Sequence, residues 1–173
     1  MASILQQAPG FKALAAEGRG EVREVSLAAL AGRWVVLFFY PRDFTTVCPT
    51  EVREFSRRVR EFRDLGAEVL GVSVDPVERH QEWIAAQLGE VAFPLVADPS
   101  KEIACSFGAL LEPEGVAARA TFIVDPAGVV QYACFHNLSV GRSVSETLRV
   151  LEALQTGEKS PAEWRPGERT LGR

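Results

Sequence analysis

The sequence is short of metal ligands and of paired thiols. Its only cysteines are at 48, 105 and 134 and its only histidines at 80 and 136. None of these form the close ligand pairs of a zinc site. Long apolar runs are also missing: nothing approaches the roughly 20 residues that cross a bilayer as a helix. The start, Met1-Ala2-Ser3-Ile4-Leu5, has no basic region followed by an apolar core. A soluble, unexported, cytoplasmic protein with reduced thiols is therefore expected. Concentrated positive charge is lacking as well, since 19 Lys and Arg against 23 Asp and Glu give a net charge of −4. That balance argues against a nucleic-acid or anionic-membrane surface. The arginines at 53, 57, 58, 60 and 63 alternate with Glu51, Glu54, Glu61 and Asp64, as on a solvated, ion-paired helix face. Gly18-Arg19-Gly20 lacks the third glycine of a nucleotide loop and marks a turn.

What is present suits one globular domain with a sizeable core: 173 residues, 47% hydrophobic and 24% charged. The chain is organised around Trp34 to Tyr40, an unbroken run rich in β-branched and aromatic residues. Such a run reads as a strand buried on both faces at the centre of a sheet. It ends in Pro41-Arg42-Asp43-Phe44-Thr45-Thr46-Val47-Cys48-Pro49-Thr50-Glu51. Val52, Phe55, Val59, Phe62 and Leu65 then recur at helical spacing. Cys48 thus stands at a helix entrance, with Thr45 and Thr46 as caps and Pro49 in the first turn. A thiol beside free backbone N–H groups and a cation is a nucleophile. The plain alternative is a buried structural cysteine, but the junction of strand and helix is where open α/β sheets place their chemistry.

Pro41, Thr45 and Cys48, in the spacing P-x-x-x-T-x-x-C between Phe38-Phe39-Tyr40 and Pro49-Thr50-Glu51, resemble the active-site segment of a peroxiredoxin of the alkyl hydroperoxide reductase C branch. The resemblance continues through Gly71–Asp75, Trp83, Phe93-Pro94-Leu95, Arg119–Asp125, Val140–Val144 and Trp164–Gly167. It implies a thiol-dependent peroxidase without cofactor or metal, acting on hydrogen peroxide and small organic hydroperoxides. By the same resemblance Cys48 attacks the peroxide and Arg119 holds the sulfur ionised. Thr45 binds the peroxide, Pro41 shields the sulfur, and Glu51, Arg142, Tyr40 and Trp83 support the site. A homodimer, in some relatives a ring of dimers, is implied too.

The chain departs from the two-cysteine pattern where a resolving cysteine in V-C-P-A-x-W would stand, because it has Lys159-Ser160-Pro161-Ala162-Glu163-Trp164. Serine forms no disulfide. The sulfenic acid then needs an external thiol or a thioredoxin-type reductant, unless Cys105 or Cys134 resolves it. Cys134 is expected in the core and Cys105 on an accessible side of its helix. A redox sensor or holdase that keeps the fold is the alternative of another class. A C-x-x-C oxidoreductase is disfavoured because Cys48-Pro49-Thr50-Glu51 has one cysteine.

Further elements follow from local signals. Residues 1–33 are a lead-in with one short strand at 21–25. Strands are expected at 68–74, 93–97, 121–124 and 129–135, the last two antiparallel around the turn Asp125-Pro126-Ala127-Gly128. Asp75-Pro76 and Asp98-Pro99 open capped helices that end at Gly89 and Gly108, and Ser143-Val144-Ser145-Glu146 is a capping box for a last helix. His80, alone on an apolar helix face, is expected to be a packed, hydrogen-bonded core residue rather than a catalyst. The alternation gives an α/β class, and with the resemblance a thioredoxin-like fold: a central mixed β-sheet flanked by helices, one domain over 1–173, with residues 158–173 as a C-terminal arm.

Overall fold

The structure is a computed structural model that describes residues 2–173; Met1 lies outside the described residues. It comprises two compact units, Met1–Arg142 and Ser143–Arg173. The first holds a seven-stranded mixed sheet made of β1 (Lys12–Gly18), β2 (Glu21–Ser26), β3 (Trp34–Phe39), β4 (Ala67–Ser73), β5 (Val91–Ala97), β8 (Arg119–Val124) and β9 (Val130–His136), in the order β2-β1-β5-β4-β3-β8-β9. β3 runs parallel to β4 and antiparallel to β8, so the expected apolar strand lies inside the sheet. A small hairpin, β6 (Leu110–Leu111) with β7 (Val116–Ala117), stands apart and had no signal in the sequence.

β1 was not expected. Lys-Ala-Leu-Ala-Ala-Glu-Gly favours helix by propensity, but the segment is sandwiched between β2 and β5, with Ala15 and Ala16 fully buried. Pairing on both edges overrides a weak local preference.

The two faces of β3 point to different cores. Phe38 stacks on Phe55 at 4.3 Å and meets Phe93 edge-on. Phe55 belongs to α1 (Cys48–Arg57), which continues after Arg58 as α2 (Val59–Asp64). The single helix expected here is broken because Arg58, at φ −105° and ψ 8°, leaves helical geometry; the buried stripe Val52, Phe55, Val59, Phe62 survives the break. On the other face Phe39 packs against Phe122 and against Phe107 of α4 (Glu102–Phe107). The sheet therefore separates α1 from α4. Close packing on the α1 face requires Gly71, because a Cβ there would lie 2.9 Å from both Leu95 Cδ2 and the Phe38 ring.

α3 (Val77–Trp83) passes into a π-helical turn, Ile84–Leu88, closed by the Gly89 N–H on the Ile84 carbonyl at 2.7 Å. Asp75 does not cap this helix. Pro76 holds the cap position, and Asp75 Oδ2 accepts from the Ser73 hydroxyl and the Asp43 N–H instead. Lys101, not Asp98, holds the cap position of the next helix, but the Asp98 carboxylate accepts from the N–H groups of Ile103 and Ala104 in its first turn. Burial pushes the Asp98 carboxyl above its ordinary range, against those two bonds.

The second unit contains α5 (Val144–Gln155), capped by Ser143 Oγ accepting from the Glu146 N–H, with Val144, Leu148 and Leu151 buried as expected. Residues 158–173 close on themselves as an arm. Lys159 and Leu171 exchange backbone bonds with Gly172 and Lys159, Trp164 is buried, and its carbonyl accepts from Arg149.

Candidate active site

Where β3 ends, the Tyr40 N–H still bonds to the Val72 carbonyl, and the chain then turns through a loop into α1. Cys48 is the first residue of that helix and Pro49 the second. The cap position is Val47, with no side-chain cap; the Thr45 hydroxyl donates to the Arg42 carbonyl at 3.3 Å, so the capping expected of Thr45 and Thr46 is not found. The N–H groups of Thr50 and Glu51 are taken by the Val47 carbonyl. The helix entrance thus offers the sulfur fewer free donors than the sequence suggested.

The donor on the sulfur is a guanidinium. Arg119, at the start of β8 and 71 residues away in sequence, donates from Nη1 to Cys48 Sγ at 3.3 Å. The same nitrogen donates to Glu51 Oε2 at 2.7 Å, and Nε donates to the Leu138 carbonyl at 2.7 Å. Three acceptors fix the plane of this guanidinium. Arg142 grips the other side of Glu51 through its own N–H, Nε and Nη2, and donates from Nη1 to the carbonyls of Phe39 and Ala120. Burial alone would raise the Glu51 carboxyl; the hydrogen bonds and charge of Arg142, with the charge of Arg119, outweigh it and hold the group below its ordinary value of 4.5. Two guanidiniums against one carboxylate leave one positive charge in excess inside the protein, all three side chains being about 3% exposed or less.

The chain as a whole is similar to known proteins. Residues 4–133 match the AhpC/TSA family. The chain belongs to that family. It is 47% identical over 171 residues to a putative peroxiredoxin in the rubredoxin operon of Clostridium pasteurianum, covering 95% of this chain and 96% of that protein. It is 49% identical over 174 residues to the putative peroxiredoxin YkuU of Bacillus subtilis (strain 168), covering 96% of each. In three dimensions it is similar to the reduced 2-Cys peroxiredoxin of Plasmodium vivax, with a TM-score of 0.93, 34% identity, and 98% and 93% of the two chains covered. The expected thioredoxin-like α/β fold and peroxiredoxin family are borne out, and the chain is a thiol-dependent peroxidase.

Within this peroxiredoxin, Cys48, Glu51, Arg119 and Arg142, the residues the resemblance pointed to, lie together. Pro41 is buried beside them in sequence, and Thr45 is half-buried. Cys48 is itself 0% exposed, a tighter enclosure than a freely open thiol. Tyr40 and Trp83 form the wall beneath the loop, their rings 5.8 Å apart, with Trp83 also 6.4 Å from Phe44. Phe44 takes φ +55°, a left-handed conformation that costs a side-chain-bearing residue about 1 kcal/mol or more.

The other cysteines stand elsewhere. Cys105 is exposed on α4, across the sheet from α1. Cys134 pairs with Thr121 on β8 and is half-buried rather than in the core. A register shift between Ile123 and Val124 sets Val130 opposite Val124, on the other face of the strand from Cys134. Sequence reasoning missed one feature of the site: a buried group in which Tyr40 and His80 both bond Asp43. His80 is the hydrogen-bonded core residue expected, but no sequence signal linked it to a loop residue 37 positions away.

Among the described residues, no helix is long and apolar enough to cross a membrane.

Proposed function

We propose that this peroxiredoxin reduces hydrogen peroxide and small organic hydroperoxides through Cys48 alone. The reading is carried by one observation: Arg119 Nη1 reaches both the Cys48 sulfur and Glu51, at 3.3 and 2.7 Å. The Cys48 thiolate attacks one peroxide oxygen, the O–O bond breaks, and the second oxygen leaves as alkoxide or hydroxide and takes a proton. The sulfur becomes a sulfenic acid. The guanidinium of Arg119 holds the attacking anion and is positioned to receive charge on the leaving oxygen. Glu51 and Arg142 keep that guanidinium in plane, Thr45 offers the peroxide a hydroxyl, and Pro41 keeps bulk water from the sulfur.

Recycling uses an external thiol or a thioredoxin-type protein. The first thiol displaces water from the sulfenic acid to give a mixed disulfide, and a second thiol releases Cys48 and a disulfide product. By the family resemblance, Ser160 in Lys159-Ser160-Pro161-Ala162-Glu163-Trp164 stands where a resolving cysteine would be, and serine forms no disulfide. Cys105, across the sheet, is poorly placed to pair with Cys48 in a folded chain. Assembly as a homodimer is supported by β9, the last strand of its sheet, with Phe135 53% exposed; a ring of such dimers would follow from a second contact.

Peroxide consumption by the wild type with an added thiol, and its loss in Cys48→Ser, tests the peroxidase reading. Intact-mass analysis after one equivalent of peroxide tests the one-cysteine route. A gain of one oxygen, or a dimedone adduct, is expected; a loss of two hydrogens with a peptide joining Cys48 to Cys105 or Cys134 would count against it. Sedimentation velocity reads the assembly, and a concentration-independent monomer would refute the dimer.

A further inference from the structure

The loop that delivers Cys48 to Arg119 is anchored by one buried side chain. Asp43 is 5% exposed, and its three polar contacts all reach outside the loop: Oδ1 accepts from the Tyr40 hydroxyl at 2.9 Å, Oδ2 lies 2.7 Å from His80 Nδ1, and its N–H donates to Asp75 Oδ2 at 2.9 Å. The next residue is Phe44 with its left-handed backbone, which persists only while its neighbours are held. From α3, Arg79 covers the Phe44 ring at 4.2 Å, so the helix that carries His80 clamps both residues.

His80 is fully buried and its Nε2 has no hydrogen-bond partner. A protonated ring would bury an unpaired N–H at that position, whereas a neutral ring with its proton on Nδ1 leaves only a bare lone pair. Nδ1 is then the donor and the Asp43 carboxylate the acceptor. Burial pushes the Asp43 carboxyl up, and the His80 bond is the foremost influence opposing it. Without that donor Asp43 is a buried, under-paired carboxylate, which relaxes by turning out to water and carrying the loop with it.

We infer that His80 is a positioning residue of peroxide reduction: by donating from Nδ1 to Asp43 it holds residues 41–47 in the conformation that sets the Cys48 sulfur against the Arg119 guanidinium. The inference rests on Cys48 being the peroxide-reactive thiol. It assigns a task in the reaction to a side chain that otherwise looks like packing.

Asn and Gln separate the two ring nitrogens, since the Asn amide falls near Nδ1 and the Gln amide near Nε2. The test compares His80→Asn, His80→Gln and the same pair in an Asp43→Ala background. The rate of Cys48 oxidation by hydrogen peroxide is measured beside its rate of alkylation by iodoacetamide. His80→Asn should stay within about threefold of the wild type, while His80→Gln loses about tenfold or more with peroxide, the scale of a misplaced reacting group. Alkylation should hold or rise, because a loosened loop uncovers the sulfur without orienting a peroxide. In Asp43→Ala the two substitutions should give equal rates. Equal peroxide rates for His80→Asn and His80→Gln in the native background would overturn the inference, as would a parallel fall of peroxide and alkylation rates. Cys48→Ser distinguishes the failures. A wild type without Cys48-dependent turnover overturns both readings, whereas intact turnover that is indifferent to His80→Gln overturns this one alone.

Discussion

Replacing Arg119 by Met keeps most of the apolar volume and removes three donated hydrogen bonds: to the Cys48 sulfur at 3.3 Å, to Glu51 at 2.7 Å and to the Leu138 carbonyl at 2.7 Å. Their consequences divide between activity and stability. A hydrogen bond to a charged group is worth about 1.5–3 kcal/mol. At about 1.4 kcal/mol per factor of ten, losing the bond to the sulfur predicts a fall of about 10- to 150-fold in the rate of oxidation by hydrogen peroxide. Stability suffers less than when a buried ion pair is left with one partner, a change that costs about 3–5 kcal/mol. Glu51 keeps Arg142, which contacts both of its oxygens. A loss of about 1–3 kcal/mol is expected, much of it from the Leu138 carbonyl left without its donor. The assay is single-turnover oxidation by rapid mixing and mass analysis, repeated at alkaline pH where any cysteine is ionised. Full recovery at high pH would restrict Arg119 to keeping the sulfur charged. Persistent slowness is expected, because in the proposed reaction the guanidinium also receives charge on the leaving oxygen. A variant within about twofold of the wild type at neutral pH would refute the reasoning.

Three further outcomes follow from named contacts. Glu51 is held below its ordinary value of 4.5 in the folded chain, so it contributes stability above the unfolded value that is lost as pH falls through the folded one. Denaturant melts from pH 6 to 3 should therefore show an acid limb that flattens in Glu51→Gln, and parallel curves would contradict it. Gly71→Ala places a methyl 2.9 Å from Leu95 and Phe38 and should cost about 1–3 kcal/mol by overpacking, read as a lower midpoint in thermal melts with the peroxide rate per folded molecule retained. Cys105→Ser, on the exposed side of α4, should leave turnover with an external thiol unchanged, and a loss of turnover would restore Cys105 as a resolver.

Local patterns carried much of the fold. An apolar run too short and too branched for a helix had to be an interior strand, and apolar residues three and four apart had to form the helix behind it. Pro49 and Ser143 marked helix starts for reasons confined to one turn of chain. The failures came where local preference was outvoted. β1 is a strand because two edges pair with it, although its alanines favour helix. Asp75 and Thr45 look like caps, but their oxygens are engaged elsewhere.

The sequence by itself determined that a cysteine would open a helix after a buried strand, since both elements follow from side-chain periodicity. Arg119 and Arg142 were identified through family resemblance and not through any pattern near Cys48. Only the tertiary structure decided that their two guanidiniums share one carboxylate beneath the sulfur, that the sheet divides Cys48 from Cys105, and that His80 reaches Asp43. Contacts between residues 37 to 91 positions apart leave no periodic trace. They exist because strands from distant parts of the chain lie side by side, and that order is set when all the faces are buried together.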